Sequence, residues 1–259
     1  SWYENTDGDG TFSAQNLIAT APEPQEAITA DLNGDDKPDV ILASGALFET
    51  GVVAWYENQT GESGSDSDGF GAEQLIAEQD NVTSIAAANL DDDSDKDIVV
   101  AYEFSKVVWY ENQIGEGGDS DGFSSENVIA SGLSNLLSVH VADMDGDDNM
   151  DVLAGYGGGQ NPGTVAWYEN TDGNGSFSSE NVITNSTDGE LSDITTAALD
   201  ADSDPDVLVA GGNIVWLENQ IGESGTSSNF SGQNVITSAV EIPEDVHAAD
   251  VDGDSHVDV

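Results

Sequence analysis

A chain of 259 residues carries 52 acidic residues against three lysines and no arginine, giving a formal net charge of −49, yet 37% of it is apolar. The apolar share is enough to build a core and argues against disorder, while a charge of this sign and size excludes general affinity for nucleic acid or for anionic membranes, both of which need a basic surface. There is no cysteine, so disulfides cannot staple the fold, and no apolar run approaches the roughly 18 residues of a membrane helix.

In chain order, the first segment, Trp2-Tyr3-Glu4-Asn5, reads as a short strand, followed by a Gly/Asp turn and a second strand from Phe12 to Leu17-Ile18. Four fuller copies follow. Each opens on a short strand that ends in alanine: Ala27 to Ala30, Ile85 to Ala88, Val139 to Ala142 and Ile194 to Ala197, with a fifth start at Val246 to Ala249. An aspartate-rich loop comes next, then a β-branched run (Val40-Ile41-Leu42, Ile98-Val99-Val100, Val152-Leu153, Val207-Leu208-Val209). A third strand ends at Asn58, Asn112, Asn170 and Asn219, and a fourth runs from Phe70, Phe123, Phe177 or Phe230 to an aliphatic pair five residues on.

The last aspartates of the five loops, Asp39, Asp97, Asp151, Asp206 and Asp258, are 58, 54, 55 and 52 residues apart. One unit is therefore four short strands in a period typical of a propeller blade. The fold expected is an all-β propeller of four-stranded blades, with five repeat units visible in a single domain over 1–259. The units run approximately over 1–20 (partial), 27–78, 84–131, 138–185, 193–238 and 245–259 (partial). The repeated alanine implies crowding where inner strands converge on an axis. The ends, which begin in a third strand and stop at a second, are expected either to complete one blade together or to be part of a longer chain; the longer chain is favoured.

Each loop has nine positions. Position 1 holds Asp31, Asn89, Asp143, Ala198 and Asp250; position 3 holds Asn33, Asp91, Asp145, Asp200 and Asp252; position 5 holds Asp35, Asp93, Asp147, Asp202 and Asp254. Position 9 is always aspartate, and position 7 varies (Lys37, Asp95, Asn149, Asp204, His256), as expected where only a backbone carbonyl is offered. Oxygens at alternate positions of a short loop suit a hard cation with six to eight ligands, calcium before magnesium, which keeps its waters. Up to five calcium ions are expected, most weakly in loop 198–206, because Ala198 cannot ligate. An EF-hand is rejected: position 12 is Leu42, Val100 or Ala154 rather than glutamate, and the flanks read as strands.

The Asp-X-Asp-X-Asp-X-X-X-Asp loop, the Val-X-Trp-Tyr-Glu-Asn strand and the Phe-to-Val-Ile strand together resemble the FG-GAP/VCBS repeat family, to which the integrin α-subunit propeller is related. The resemblance implies that the calcium loop joins the first and second strands of a blade. Family loops usually carry glycine at positions 4 and 6; here position 4 is Gly34, Asp92, Gly146, Ala201 and Gly253 and position 6 is only Asp or Ser, which implies weaker binding in the second and fourth loops.

No hydrolase, zincin or phosphate-loop motif is present. His140 and His247 share one strand position and are read as packing or hydrogen-bonding residues, Lys106 as a solvated strand-edge lysine, and the repeated Trp2, Trp55, Trp109, Trp167 and Trp216 as packing between units rather than sugar platforms. No catalytic residue is assigned. The function expected is a non-catalytic, extracellular or cell-surface calcium-binding module in a saline setting, with a protein or glycan ligand and a role in adhesion. The alternatives are a carbohydrate-binding or lyase-like propeller, and a structural repeat of a surface layer or filament.

Overall fold

Sixteen strands form among the described residues, and they follow the repeat. The computed structural model describes residues 1–45, 51–61, 69–79, 81–115, 122–158, 162–187, 191–200, 202–223, 229–239 and 243–259. The strands make four separate four-stranded sheets, each in sequential order. The first contains β1 (Pro24–Ala30), β2 (Asp39–Ser44), β3 (Val52–Tyr56) and β4 (Gln74–Glu78). The second contains β5 (Val82–Ala88), β6 (Asp97–Tyr102), β7 (Lys106–Tyr110) and β8 (Asn127–Ser131). The third contains β9 (Leu136–Ala142), β10 (Asp151–Gly157), β11 (Gly163–Tyr168) and β12 (Asn181–Thr187). The fourth contains β13 (Asp193–Ala197), β14 (Asp206–Ala210), β15 (Ile214–Leu217) and β16 (Asn234–Thr237).

The expected closed propeller is not what forms. The four sheets are open antiparallel meanders, and none is closed into a barrel or curled. Within each end, the described residues form isolated bridges. Trp2 bridges Asn16, Asn5 bridges Phe12 and Ala249 bridges Asp258, each as an isolated pair, and Val246 to Ala249 forms no strand. The repeat period specifies one meander at a time. Each meander satisfies its own ladder, so nothing in the period requires the set to close. The alanine expected to be crowded is buried only at Ala88; Ala30, Ala142 and Ala197 are half-buried and Ala249 is exposed.

The chain divides into two compact units, 1–82 with 113–123, and 83–112 with 124–259. The smaller unit holds the first sheet, with Ile41, Val53, Trp55 and Tyr56 buried and Trp2 set edge-on to Phe70 at 6.3 Å between ring centroids.

The larger unit shows how period-2 strands join successive sheets. On β10, Val152 and Ala154 pack into a cluster with Val99, Trp109, Leu136 and Tyr168. Leu153, pointing the other way, joins Val165, Trp167, Ile194, Val207 and Phe230. Trp109 and Trp167 thus fill the space between neighbouring sheets, as expected for packing tryptophans. Polar rungs run beside these clusters. The amide of Val139 donates to Ser84 Oγ at 3.2 Å, that of Ile194 to Ser138 Oγ at 3.3 Å, and that of Val246 to Asp193 Oδ2 at 3.2 Å. One side chain of β5, of β9 and of β13 thereby satisfies a backbone donor about one period later in the chain.

Candidate metal centre

Four of the nine-residue loops join the first strand of a repeat to its second, with position 9 as the second strand's first residue; the fifth lies between the bridged pair Ala249 and Asp258. Asp39, Asp97, Asp151 and Asp206 are fully buried. Their Oδ2 atoms accept the amide of position 2 (Leu32, Leu90, Met144, Leu199) at 2.7–3.0 Å. Their Oδ1 atoms accept the amide of the third-strand asparagine (Asn58, Asn112, Asn170, Asn219) at 2.7–2.9 Å. Asp258 is exposed and repeats only the first of these bonds, to Val251 at 2.9 Å. Position 9 is therefore a structural clamp as well as a potential ligand, since each carboxylate oxygen accepting one amide keeps a second lone pair.

Position 1 shapes the loop. Asp31, Asp143 and Asp250 each accept the amides of positions 4 and 5 through Oδ1 and of position 6 through Oδ2, at 2.7–3.2 Å. Asn89 reaches only positions 3 and 4, at 3.3 and 2.9 Å. Ala198 has no side chain to do so. Position 5 is held from behind in all five copies, because the amide of position 7 (Lys37, Asp95, Asn149, Asp204, His256) donates to its Oδ1 at 2.8–3.1 Å. The variable identity of position 7 follows from this backbone role. Position 6 adopts a left-handed backbone in every copy without glycine: Asp36, Ser94, Asp148, Ser203 and Ser255 have φ of 64–85°.

Two loops bring carboxylates together. Asp143, Asp145 and Asp151 each offer an oxygen within 4.8 Å of the others, as do Asp250, Asp252 and Asp254. Among the described residues, Asp35 and Asp39, Asp91, Asp93 and Asp97, and Asp200, Asp202, Asp204 and Asp206 form no such group of three. In the first loop position 3 is Asn33, whose Oδ1 accepts Asp35 N at 3.1 Å and whose Nδ2 donates to Glu57 Oε1 at 3.2 Å.

The residues present fit a cation. Asp145 Oδ1 is buried without a hydrogen-bond partner, and so is Asp91 Oδ1 in the second loop. A buried carboxylate oxygen with no donor is costly unless a positive charge meets it. The electrostatics agree. Burial pushes the carboxyl groups of Asp97 and Asp151 up to about 7, despite the two amides each accepts. Burial, then the charges of Asp93 and Glu111, pushes Asp91 up to about 6. Asp145 is raised by burial and by Asp147 and Glu169. A cation at the centre of such a loop removes this penalty by holding the carboxylates ionised.

Sequence reasoning overlooked Glu57, Glu111 and Glu169, whose side chains act on position 3 of the loop. The signal was available, since glutamate precedes asparagine in each third strand. It also overlooked the asparagine. Asn170 Nδ2 donates to Leu90 O and Asn219 Nδ2 to Met144 O, both at 2.8 Å, fastening each third strand to the loop of the preceding sheet.

The basic residues depart from expectation in one case. Lys106 is not solvated: its ammonium sits 2.6 Å from both oxygens of Glu126, its side chain is 16% exposed, and it lies 5.7 Å from the Tyr102 ring. The Tyr102 ring, the Glu126 carboxylate and the strands paired on both sides of β7 shield this lysine. His140 does act as a hydrogen-bonding residue, with Nε2 at 3.1 Å from Thr196 Oγ1 and its pKa lowered to about 4 by burial. His247 and His256 are exposed beside Asp245 and Asp254.

The segment from the second acid loop through the third, residues 89–154, matches the family model of the FG-GAP-like repeat. No curated protein matches the chain. What is established by similarity is thus an FG-GAP-like repeat over residues 89–154, spanning the loop whose carboxylates converge at Asp143, Asp145 and Asp151.

Proposed function

We propose that this chain is a non-catalytic calcium-binding module that works outside the cell in a saline setting and presents a binding surface to a protein or glycan. The observation that carries the calcium reading is the third loop, where Asp145 Oδ1 is buried and unpartnered beside Asp143 and Asp151. There Asp143, Asp145, Asp147 and Asp151, with the carbonyl of Asn149, supply the oxygens, and calcium supplies charge neutralisation and a cross-link between β9 and β10. The net charge of −49 supports saline surroundings, since calcium at a few loops offsets only part of it.

Titration of chelated protein with calcium and with terbium, followed by calorimetry and by sensitised luminescence from the tryptophans, tests this. Saturable binding that survives high NaCl and is reduced by Asp145→Asn supports specific sites. Stabilisation by NaCl alone, with no saturable uptake, refutes them.

A further inference from the structure

The larger unit holds a cavity of about 500 Å³ that no residue of the acid loops lines. Its walls come from neighbouring sheets: β8 and the turn after it supply Ser131 and Ser134, while Tyr156, Tyr168, Ser178 and Glu180 belong to the third sheet and its last hairpin. This volume falls within the range of small-molecule sites. The lining combines serine hydroxyls, one carboxylate and two phenols with the apolar side chains of Ile129, Ala130 and Leu133.

Two details point to a ligand rather than to a leftover space. Tyr168 is 2% exposed, and its hydroxyl faces the Glu180 carboxylate without a well-formed hydrogen bond. A buried phenol normally finds one. Glu180 is exposed, and Tyr156 donates its hydroxyl to Glu180 Oε1, which fixes the carboxylate at the rim. Tyr156 itself is half-buried, so part of its ring remains open beside that carboxylate.

We propose that this cavity is a binding site for a neutral saccharide unit. A sugar ring offers C–H groups to the aromatic surface of Tyr156 and pairs of hydroxyls to Glu180, Ser131 and Ser134. An anionic sugar is excluded by Glu180 and by the charge of the whole chain. A quaternary ammonium, which also suits tyrosines and a carboxylate, needs several exposed ring faces. Here the Tyr168 ring is covered, which leaves Tyr156 as the one partly open ring, and the serines beside Ile129, Ala130 and Leu133 favour a ligand with both hydroxyl and C–H surface. The site gives the proposed glycan-binding role a location, but it does not depend on calcium occupying the loops.

The test is ligand-observed NMR and calorimetry on the calcium-saturated chain, with glucose, galactose, mannose and N-acetylglucosamine as neutral probes. Galacturonate and tetramethylammonium serve as charged comparisons. At least one neutral sugar is expected to bind, with Glu180→Gln and Tyr156→Ala each weakening it about tenfold or more. Tyr156→Phe keeps the ring and guards against a folding defect; it is expected to retain part of the affinity and the wild-type melting temperature. Binding of tetramethylammonium without any neutral sugar, no binding of any probe at about 10 mM, or sugar affinity untouched by Glu180→Gln and Tyr156→Ala overturns the proposal. Failure of calcium titration with sugar binding intact would refute the metal reading alone.

Discussion

The amide of Asn170 donates to Asp151 Oδ1 at 2.8 Å, joining the third strand of a sheet to the last residue of its acid loop. The same Asn170 extends its Nδ2 to Leu90 O in the preceding repeat, so one residue locks a loop, a strand and a neighbouring sheet. The contact recurs between Asn219 and Asp206, with Nδ2 on Met144 O.

Deleting the two partners should therefore have unequal cost. Asp151→Ala strands the buried amides of Met144 and Asn170, at about 2–5 kcal/mol for two unmet donors. Asn170→Ala keeps its backbone donor and loses the side-chain bonds to Leu90 and Met150, at about 1–3 kcal/mol. Urea denaturation in excess chelator should rank Asp151→Ala as the more damaging; the reverse order would show that the clamp is not the Asp151 carboxylate.

Calcium should change the sign of the pH response. With carboxyl pKa values raised to about 7 in the fold, Asp97 and Asp151 bind protons more readily folded than unfolded. Their contribution is fully present below the unfolded value near 4 and is lost as pH rises through about 7. Chelated protein in high salt should thus lose stability between about pH 4 and 7, whereas calcium-saturated protein should not. His140 acts oppositely: its folded pKa of about 4 makes its contribution complete above about 6.5 and lost as pH falls through 4. That limb should be insensitive to calcium. Melting temperatures across pH, with and without EGTA, separate the two.

Gly175 makes the tightest contact among the described glycines. Its φ is +73°, and an added Cβ would lie 2.2 Å from Trp109 Cζ2. Gly175→Ala should cost about 2–4 kcal/mol, combining left-handed strain with overpacking. Gly253→Ala shares the backbone conformation but meets nothing within 4 Å, so it should cost only about 1 kcal/mol. Chemical denaturation, with Trp109 emission as a local probe, checks the difference.

Removing the unpartnered oxygen should lower stability with calcium and raise it without. Asp145→Asn deletes a ligand charge but also relieves repulsion from Asp147 and Glu169. Thermal melts should show the variant less stable than wild type in calcium and equal or more stable in EGTA. A loss of equal size in both conditions would assign Asp145 a purely structural role.

Much of this was readable in the residues. The strand order, the junction of four loops with two strands and the hairpin between third and fourth strands followed from apolar alternation and turn composition, because these are local choices. Asn58↔Phe70, Asn170↔Phe177 and Asn219↔Phe230 bridge where that pattern placed the hairpin. Lys106 was misread because its partner Glu126 is 20 residues away and not signalled by local spacing. Glu111 and Glu169 were missed because a periodic acid looks like a solvated face until its distance to a loop is known.

The repeat of aspartates at positions 5 and 9 determined by itself that five hairpins could offer oxygens at fixed intervals, because loop length and residue type are written along the chain. Tertiary structure decided which loops gather three carboxylates, leaving Asp145 without a partner. It also opened four sheets where a ring was expected and built the Tyr156–Glu180 cavity. Each of these depends on how separate meanders pack, and packing is set by side-chain shape between distant strands rather than by a period within them.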